Sequence, residues 1–291
     1  MIYFLENSKI KITACTHGGE LHSITSKEDG TEYLWNGDPE YWKYHAPILF
    51  PIIGKVMDSK YMVDGEVYEL PAHGLARTSE FELLAMSNNF ISFELKYSED
   101  SLKLYPYKFS LYITYTLQES CVKVTYTVLN LDDKEIHFSV GAHPAFLCPI
   151  EKDDSLEDCY LEFNKNETIS VYGVNKDVYL SRKTKEFFNN GNILPLSKEL
   201  FKDGLLMFNG LKSNKVSIKS KNNNKSLSVE FDKFPYLCLW APETGAPFLC
   251  IEPWFGHPEY EDFSGEFKDR EGTVSLNAGE KFNCTYKISI G

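Results

Sequence analysis

The sequence contains no run of about 18 apolar residues, the length at which a helix crosses a bilayer, so no membrane span is expected. Its start, Met1-Ile2-Tyr3-Phe4-Leu5-Glu6, lacks the basic and then apolar stretches of a secretory leader. Positive charge is in deficit: 30 Lys and Arg against 42 Asp and Glu leave a formal net charge of −12, spread along the chain. Nucleic acids and anionic membranes require basic patches, so neither is an expected partner. The cysteines (Cys15, Cys121, Cys148, Cys159, Cys238, Cys250, Cys284) are seven, an odd number, and none is in CxxC spacing. That argues against a disulfide framework and against a cysteine zinc site. Several lie in apolar runs, where cysteine behaves as a small hydrophobe. These absences lead to the expectation of a soluble protein in the reducing cytoplasm. No Walker loop, GxGxxG or GxSxG occurs, which removes the usual phosphate-cradle, dinucleotide and serine-hydrolase signals.

Helical periodicity is also scarce. One short turn is predicted around Leu196 to Phe201, with Ser197 as its N-cap. Strand periodicity is abundant instead. Phe109, Leu111, Ile113, Tyr115 and Leu117 alternate with more polar residues, as do Val122, Val124, Tyr126 and Val128. The same period recurs at Ile10, Ile12 and Ala14, at Leu227, Val229 and Phe231, and at Phe282, Cys284, Tyr286, Ile288 and Ile290. Each run reads as a half-buried strand. Turn signals such as Asp64-Gly65 and Asn88-Asn89 separate the runs at hairpin spacing, which favours antiparallel pairing over βαβ units. No linker or repeat divides the 291 residues. The more polar segment from Glu151 to Asn214 reads as strands with long surface excursions. The expected fold is all-β: one large antiparallel β-sandwich occupying residues 1–291 as a single domain.

Three blocks carry chemistry: Pro71-Ala72-His73-Gly74, Gly141-Ala142-His143-Pro144 and Ile251-Glu252-Pro253-Trp254. His143 follows a strand, and Pro144 restricts it to extended backbone. Imidazole titrates near neutrality, so it can give or take a proton at little cost. Glu252 ends the apolar run Phe248-Leu249-Cys250-Ile251, where burial would raise its pKa toward that of a general base. His73 sits in a turn with Arg77 four residues on, a hydrogen-bond donor beside a guanidinium. Trp254, with Phe255 and Trp240 nearby in sequence, offers an aromatic face of the kind that stacks on a sugar. For each block there is also a structural reading: a strand-end cap, a surface turn, a salt bridge, a core aromatic. Two histidines and a carboxylate could form a metal shell, but none has HExxH or HxD spacing, so no metal is expected.

At these residues the chain resembles the aldose 1-epimerase (galactose mutarotase) superfamily, specifically its LacX-like branch. The matching stretches are Ala46 to Gly54, Leu70 to Arg77, Val140 to Phe146 and Gly245 to Gly256, in order across most of the chain. The resemblance implies a single-domain antiparallel β-supersandwich and a cofactor-independent isomerase that interconverts α and β anomers of a sugar. It also implies Glu252 as general base, His143 as general acid and His73 as the histidine that orients the sugar. Arg77 and Trp254 are carried as sugar binders. Lys55 stands where family members often have arginine, which keeps charge but loses the bidentate fork. Asp203 is the acid nearest to where the family places a sugar-binding aspartate.

The leading expectation is therefore a mutarotase acting on a free hexose. A hexose-6-phosphate 1-epimerase is the runner-up, with Arg77 and Lys55 as the basic pair for the phosphate. A sugar-binding or sensing protein that kept the pocket without turnover is the third reading. The oligomeric state is not encoded in any motif.

Overall fold

Period-two alternation bounded by turn residues favours antiparallel sheet, and in the computed structural model, which describes residues 1–291, the regular structure is almost wholly of that kind. Its main sheet has 15 strands. The order across it begins with Ile48–Leu49, Val140–Ala142, Phe248–Phe255, Tyr236–Trp240 and Leu206–Asn209. It continues through Cys159–Val174, Lys215–Ser220, Ser226–Glu230, Lys281–Ile290, Cys121–Asn130 and Phe109–Gln118, and ends at Phe90–Lys96 and Glu82–Met86. Ala145–Leu147 and Leu180–Pro195 pair onto this path from the side. A separate three-stranded sheet holds Ile2–Glu6, Ile10–Cys15 and Leu21–Ser26.

The alternating runs do what their pattern requires. Val122, Val124, Tyr126 and Val128 are buried while Lys123, Thr125 and Thr127 are half-buried. Their register with Lys281–Ile290 sets Val124 opposite Tyr286 and Val122 opposite Ile288, so inward residues meet inward residues. One core cluster draws buried side chains from Leu5 to Ile290. Each buried Val, Leu, Ile or Phe contributes roughly 1.5–3 kcal/mol, so this apolar ladder holds the frame. Asp64 and Gly65 both take positive φ, 53° and 84°, in the two-residue turn joining Lys60–Val63 to Glu66–Glu69; that is the type I′ geometry an Asp-Gly pair favours.

Three details depart from the sequence expectations. The polar segment after Glu151 is not mainly surface excursion: it is a hairpin of two 16-residue strands, Cys159–Val174 and Leu180–Pro195. Register shifts break its pairing at several points, as at Glu162/Glu167 and Ile169/Ser170. Each shift flips the inward face, which erases a continuous period-two signal. The turn at Lys198–Phe201 is a single 3-10 turn, and the Ser197 side chain does not cap it. The one α-helix is Glu99–Leu104, started by a capping box between Ser98 and Ser101; its six residues are too few to show a period.

Candidate active site

Pro144 and Pro253 lack an N–H, so the ladder between Val140–Leu147 and Phe248–Phe255 is interrupted beside them. The register is nevertheless the same on both sides of the gap: Gly141 lies opposite Trp254, and Ala145 opposite Cys250. Counting inward from either pair puts His143 opposite Glu252. Directly opposed residues share a face of the sheet with Cβ atoms about 4.5–5.5 Å apart. Here His143 Nε2 stands 3.3 Å from Glu252 Oε2. Glu252 is therefore not at a strand end but inside an eight-residue strand that runs on through Pro253 to Phe255. On its other side it faces Cys238 of Tyr236–Trp240. Gly141 makes the close approach possible, since a Cβ there would sit 2.5 Å from Trp254 Cδ1.

Both members of the pair are buried, with Glu252 only 1% exposed and His143 8%. Burial disfavours charge. It pushes the Glu252 carboxyl well above the usual carboxylate range, partly offset by the Trp254 indole and the Cys238 thiol. Burial likewise pushes His143 down to about 3, with the Arg77 charge acting in the same direction and a backbone hydrogen bond opposing it. Carboxylic acid plus imidazole, and carboxylate plus imidazolium, hold the same single proton. Both shifts favour the uncharged form, with the proton on the Glu252 carboxyl and the His143 imidazole neutral. Glu252 Oε2 and His143 Nδ1 are both buried without a hydrogen-bond partner, so the polar capacity of the pair is not used up within the protein.

His73 comes from a different loop and is held by Gly54. Its backbone N–H donates to Gly54 O at 2.7 Å, and Gly54 N–H donates to His73 Nδ1 at 3.2 Å. An Nδ1 that accepts puts the ring proton on Nε2. Burial, then the nearby His143, Arg77 and Lys55, hold this imidazole well below its ordinary pKa, so it is a neutral donor. Its backbone φ is +65°, the left-handed region, and Gly74 follows at +74°. A Cβ on Gly74 would meet Phe50 O at 2.3 Å. The loop therefore lies tight on Phe50, and the His73 ring meets the His143 ring edge-on, 5.5 Å between centroids.

These groups open into a cavity of about 230 Å³. Lys55, His73, His143, Glu252 and Trp254 line it, together with Trp42, Trp240, Val178, Leu205 and Pro258. Glu252 is the only carboxylate among the lining residues. Trp42 stacks on His143 at 5.0 Å and 29°, while Trp240 meets the same ring edge-on at 5.6 Å. Trp254 is 1% exposed and donates its indole N–H to Ala142 O at 3.2 Å, so it forms the floor of the cavity rather than a free platform. A cavity of about 290 Å³ lies elsewhere, beside Pro149 and Phe201, and contains no histidine.

Two expected binders stand back from the cavity. Arg77 is half-buried and packs its guanidinium over Tyr44, 5.0 Å from the ring centroid. It acts on the histidines through its field. Asp203 is exposed on the turn after Phe201; its neighbours Gly204 and Leu205 line the cavity, and it does not. Trp42 and Val178 were not visible in the sequence as site residues. Trp42 lies in the irregular stretch before Ile48–Leu49, and Val178 at the tip of the 159–195 hairpin with φ +68°. Neither position has a periodic or motif signal.

The fold agrees with what comparison with known proteins finds. A family model described as aldose 1-epimerase matches residues 1–288. The chromosomal Protein LacX of Lactococcus lactis subsp. lactis is 36% identical over 299 residues, covering 98% of each chain. A galactose mutarotase related enzyme from Lactobacillus acidophilus superposes with a TM-score of 0.96 at 30% identity, covering 100% of this chain and 97% of that one. A galactose mutarotase-like protein from Lactobacillus casei gives 0.94 at 31% identity, covering 100% of both. These likenesses span the supersandwich from end to end, and the chain belongs to the aldose 1-epimerase family.

Proposed function

We propose that this protein is a cofactor-independent mutarotase that interconverts the anomers of a free hexose. The observation that carries this reading is the opposed His143–Glu252 pair, 3.3 Å apart, at the wall of an aromatic cavity. Anomer exchange needs a proton removed from the hydroxyl on C1 and a proton supplied to the ring oxygen. Both oxygens are bonded to C1, one bond angle apart, so a donor and an acceptor this close can serve them together. In the carboxylate–imidazolium form of the pair, Glu252 takes the hydroxyl proton, His143 gives its proton to the ring oxygen, and the C1–O ring bond opens, leaving the uncharged pair that burial favours. The carbonyl end rotates, and the reverse transfers close the ring on the other face. The proton count of the pair is unchanged over the cycle, so no redox partner or electron sink is called for. His73 Nε2–H supplies a fixed donor to a sugar oxygen, and Trp42 and Trp240 give the sugar its apolar walls.

An unphosphorylated sugar fits the charges best. Lys55 is the only cation lining the cavity, and its Nζ is 3.4 Å from Asp177 O. Seven free thiols, five of them buried, support a reducing compartment such as the cytoplasm. The shared core running from Leu5 to Ile290 supports reading residues 1–291 as one domain. No helix is long and apolar enough to cross a membrane.

Polarimetry on freshly dissolved α-glucose, α-galactose and their 6-phosphates tests the function. The expected result is enzyme-dependent acceleration with at least one free hexose, lost in Glu252→Gln. Equal rates with and without protein on every sugar would leave only a binding role, and activity confined to the phosphates would replace the free hexose.

A further inference from the structure

The buried pair has a third neighbour that sugar chemistry leaves unused. Cys250 lies two residues before Glu252 on the same strand, so the two side chains leave the same face of the sheet. An imidazole nitrogen of His143, Cys250 Sγ and a Glu252 carboxylate oxygen all lie within 4.8 Å of one another. Metal bonds of about 2.0–2.2 Å to nitrogen and oxygen, at tetrahedral angles, put neighbouring ligand atoms roughly 3.3–3.5 Å apart. The His143–Glu252 separation of 3.3 Å already has that length. Glu252 Oε2 is buried and has no hydrogen-bond partner. A nitrogen, an oxygen and a sulfur ligand suit borderline-to-soft ions such as zinc and cadmium.

We propose that His143, Cys250 and Glu252 form a three-ligand site for a thiophilic divalent cation, with the fourth position facing the cavity so that ion and sugar exclude each other. The exclusion of sugar rests on the proposed function; the site itself does not. Binding displaces the thiol proton of Cys250 and the proton of the Glu252 carboxyl, two protons for each ion. The divalent charge then meets one thiolate and one carboxylate, which leaves the buried cluster neutral and its charges paired. Glu20, His22 and His45 are gathered as closely, but their geometry is different. The two imidazoles stack face to face, 4.0 Å between centroids and 10° between planes, so their in-plane lone pairs run parallel and do not converge. Glu20 also spends one oxygen on the backbone N–H groups of His45 and Ala46.

Cadmium chloride titrated into the reduced full-length protein tests the site, in a Cys15→Ser, Cys121→Ser background that removes the two half-buried thiols. Thiolate-to-cadmium absorption in the ultraviolet reports the bond, and a weakly buffered titration counts protons. The expected result is a saturating 1:1 band with about two protons released per ion. Adding Cys250→Ser abolishes the band, His143→Gln and Glu252→Gln weaken binding at least about tenfold, and Cys148→Ser leaves it intact. A band that survives Cys250→Ser, or no saturable band at all, overturns the proposal. Should Cys250→Ser fail to fold by circular dichroism, Cys250→Ala and the two pair variants decide by the same readout. Cadmium binding that depends on Cys250 in a protein that moves no anomer would sink the proposed function alone. Anomer exchange without such binding would sink the site alone.

Discussion

His143 and Glu252 face each other across an antiparallel ladder whose own hydrogen bonds are interrupted by the prolines beside them. The sheet fixes where the two side chains leave the backbone, and Pro144 and Pro253 contribute no backbone N–H donor beside them. A rigid register therefore sets the spacing of the pair, and burial sets its proton chemistry. Glu252 sits within a strand, and His143 sits in the short gap between Val140–Ala142 and Ala145–Leu147 with its N–H donating to Pro47 O at 3.1 Å, which keeps the two groups at 3.3 Å.

Removing either partner should cost most of the catalysis. A positioned general acid or base is worth about 10²–10⁴-fold, so Glu252→Gln and His143→Gln should each lower kcat by that order in polarimetry. Loss of less than about tenfold in both variants would remove the pair from the mechanism.

The opposite shifts of the two groups make a prediction about stability against pH. Unfolded His143 binds a proton below its ordinary 6.5, while the folded ring stays neutral down to about 3. That term is present above 6.5 and is lost as pH falls. Glu252 acts the other way: the folded carboxyl keeps its proton above the ordinary 4.5, so its term is present at low pH and is lost as pH rises. Between 4.5 and 6.5 the two terms oppose and largely cancel. Glu252→Gln should therefore lose stability on acidification through this window relative to wild type. His143→Gln should lose it as pH rises, each by up to about 1.4 kcal/mol per pH unit. Urea unfolding across the window measures both tilts, and parallel curves for all three proteins would show that folding shifts neither group's pKa.

Trp42 should matter for holding the sugar more than for moving protons. Aromatic contacts of this kind contribute about 0.5–1.5 kcal/mol beyond burial, so Trp42→Ala should raise KM two- to tenfold or so, with Trp42→Phe recovering most of it. A fall in kcat with KM unchanged would instead assign the indole to the orientation of His143, on which it stacks.

Gly141→Ala should be destabilising although it adds only a methyl group. The new Cβ would stand 2.5 Å from Trp254 Cδ1, and overpacking of this sort costs about 1–3 kcal/mol. A melting temperature equal to wild type would mean that the Trp254 side of the sheet yields without penalty.

Asp203→Asn should leave KM unchanged, because the carboxylate is exposed and outside the cavity lining. A rise in KM of more than about threefold, roughly 0.7 kcal/mol of lost sugar binding, would mean that the turn closes over bound sugar and brings Asp203 into contact.

Much of this could be read from the chain. Regular alternation at 109–117 and 122–128 fixed the strands, because each inward residue pays its way only on one face of a sheet. The strand Phe248–Phe255 was legible only as far as Ile251: with Glu252 read as its end, the shared face of Cys250, Glu252 and Trp254 emerges only once the strand is seen to run on through Pro253. The Glu151–Asn214 segment resisted because register shifts in its long hairpin move the inward face partway along each strand. Trp42 resisted for a different reason: it reaches His143 from an irregular loop, and no spacing rule connects positions 42 and 143.

By itself, then, the sequence determined the antiparallel strands, the acidic and apolar character of the surface and core, and which titratable side chains stand beside proline and glycine. Those are local properties, set by side-chain period and backbone freedom. Only the tertiary structure decided that His143 stands opposite Glu252, that His73 presents Nε2–H, that Trp42 rather than Trp254 stacks on the imidazole, and that Asp203 faces solvent. Each of these depends on register between strands distant in sequence, or on a loop clamped by a backbone partner, and such relations exist only once the sheet has closed.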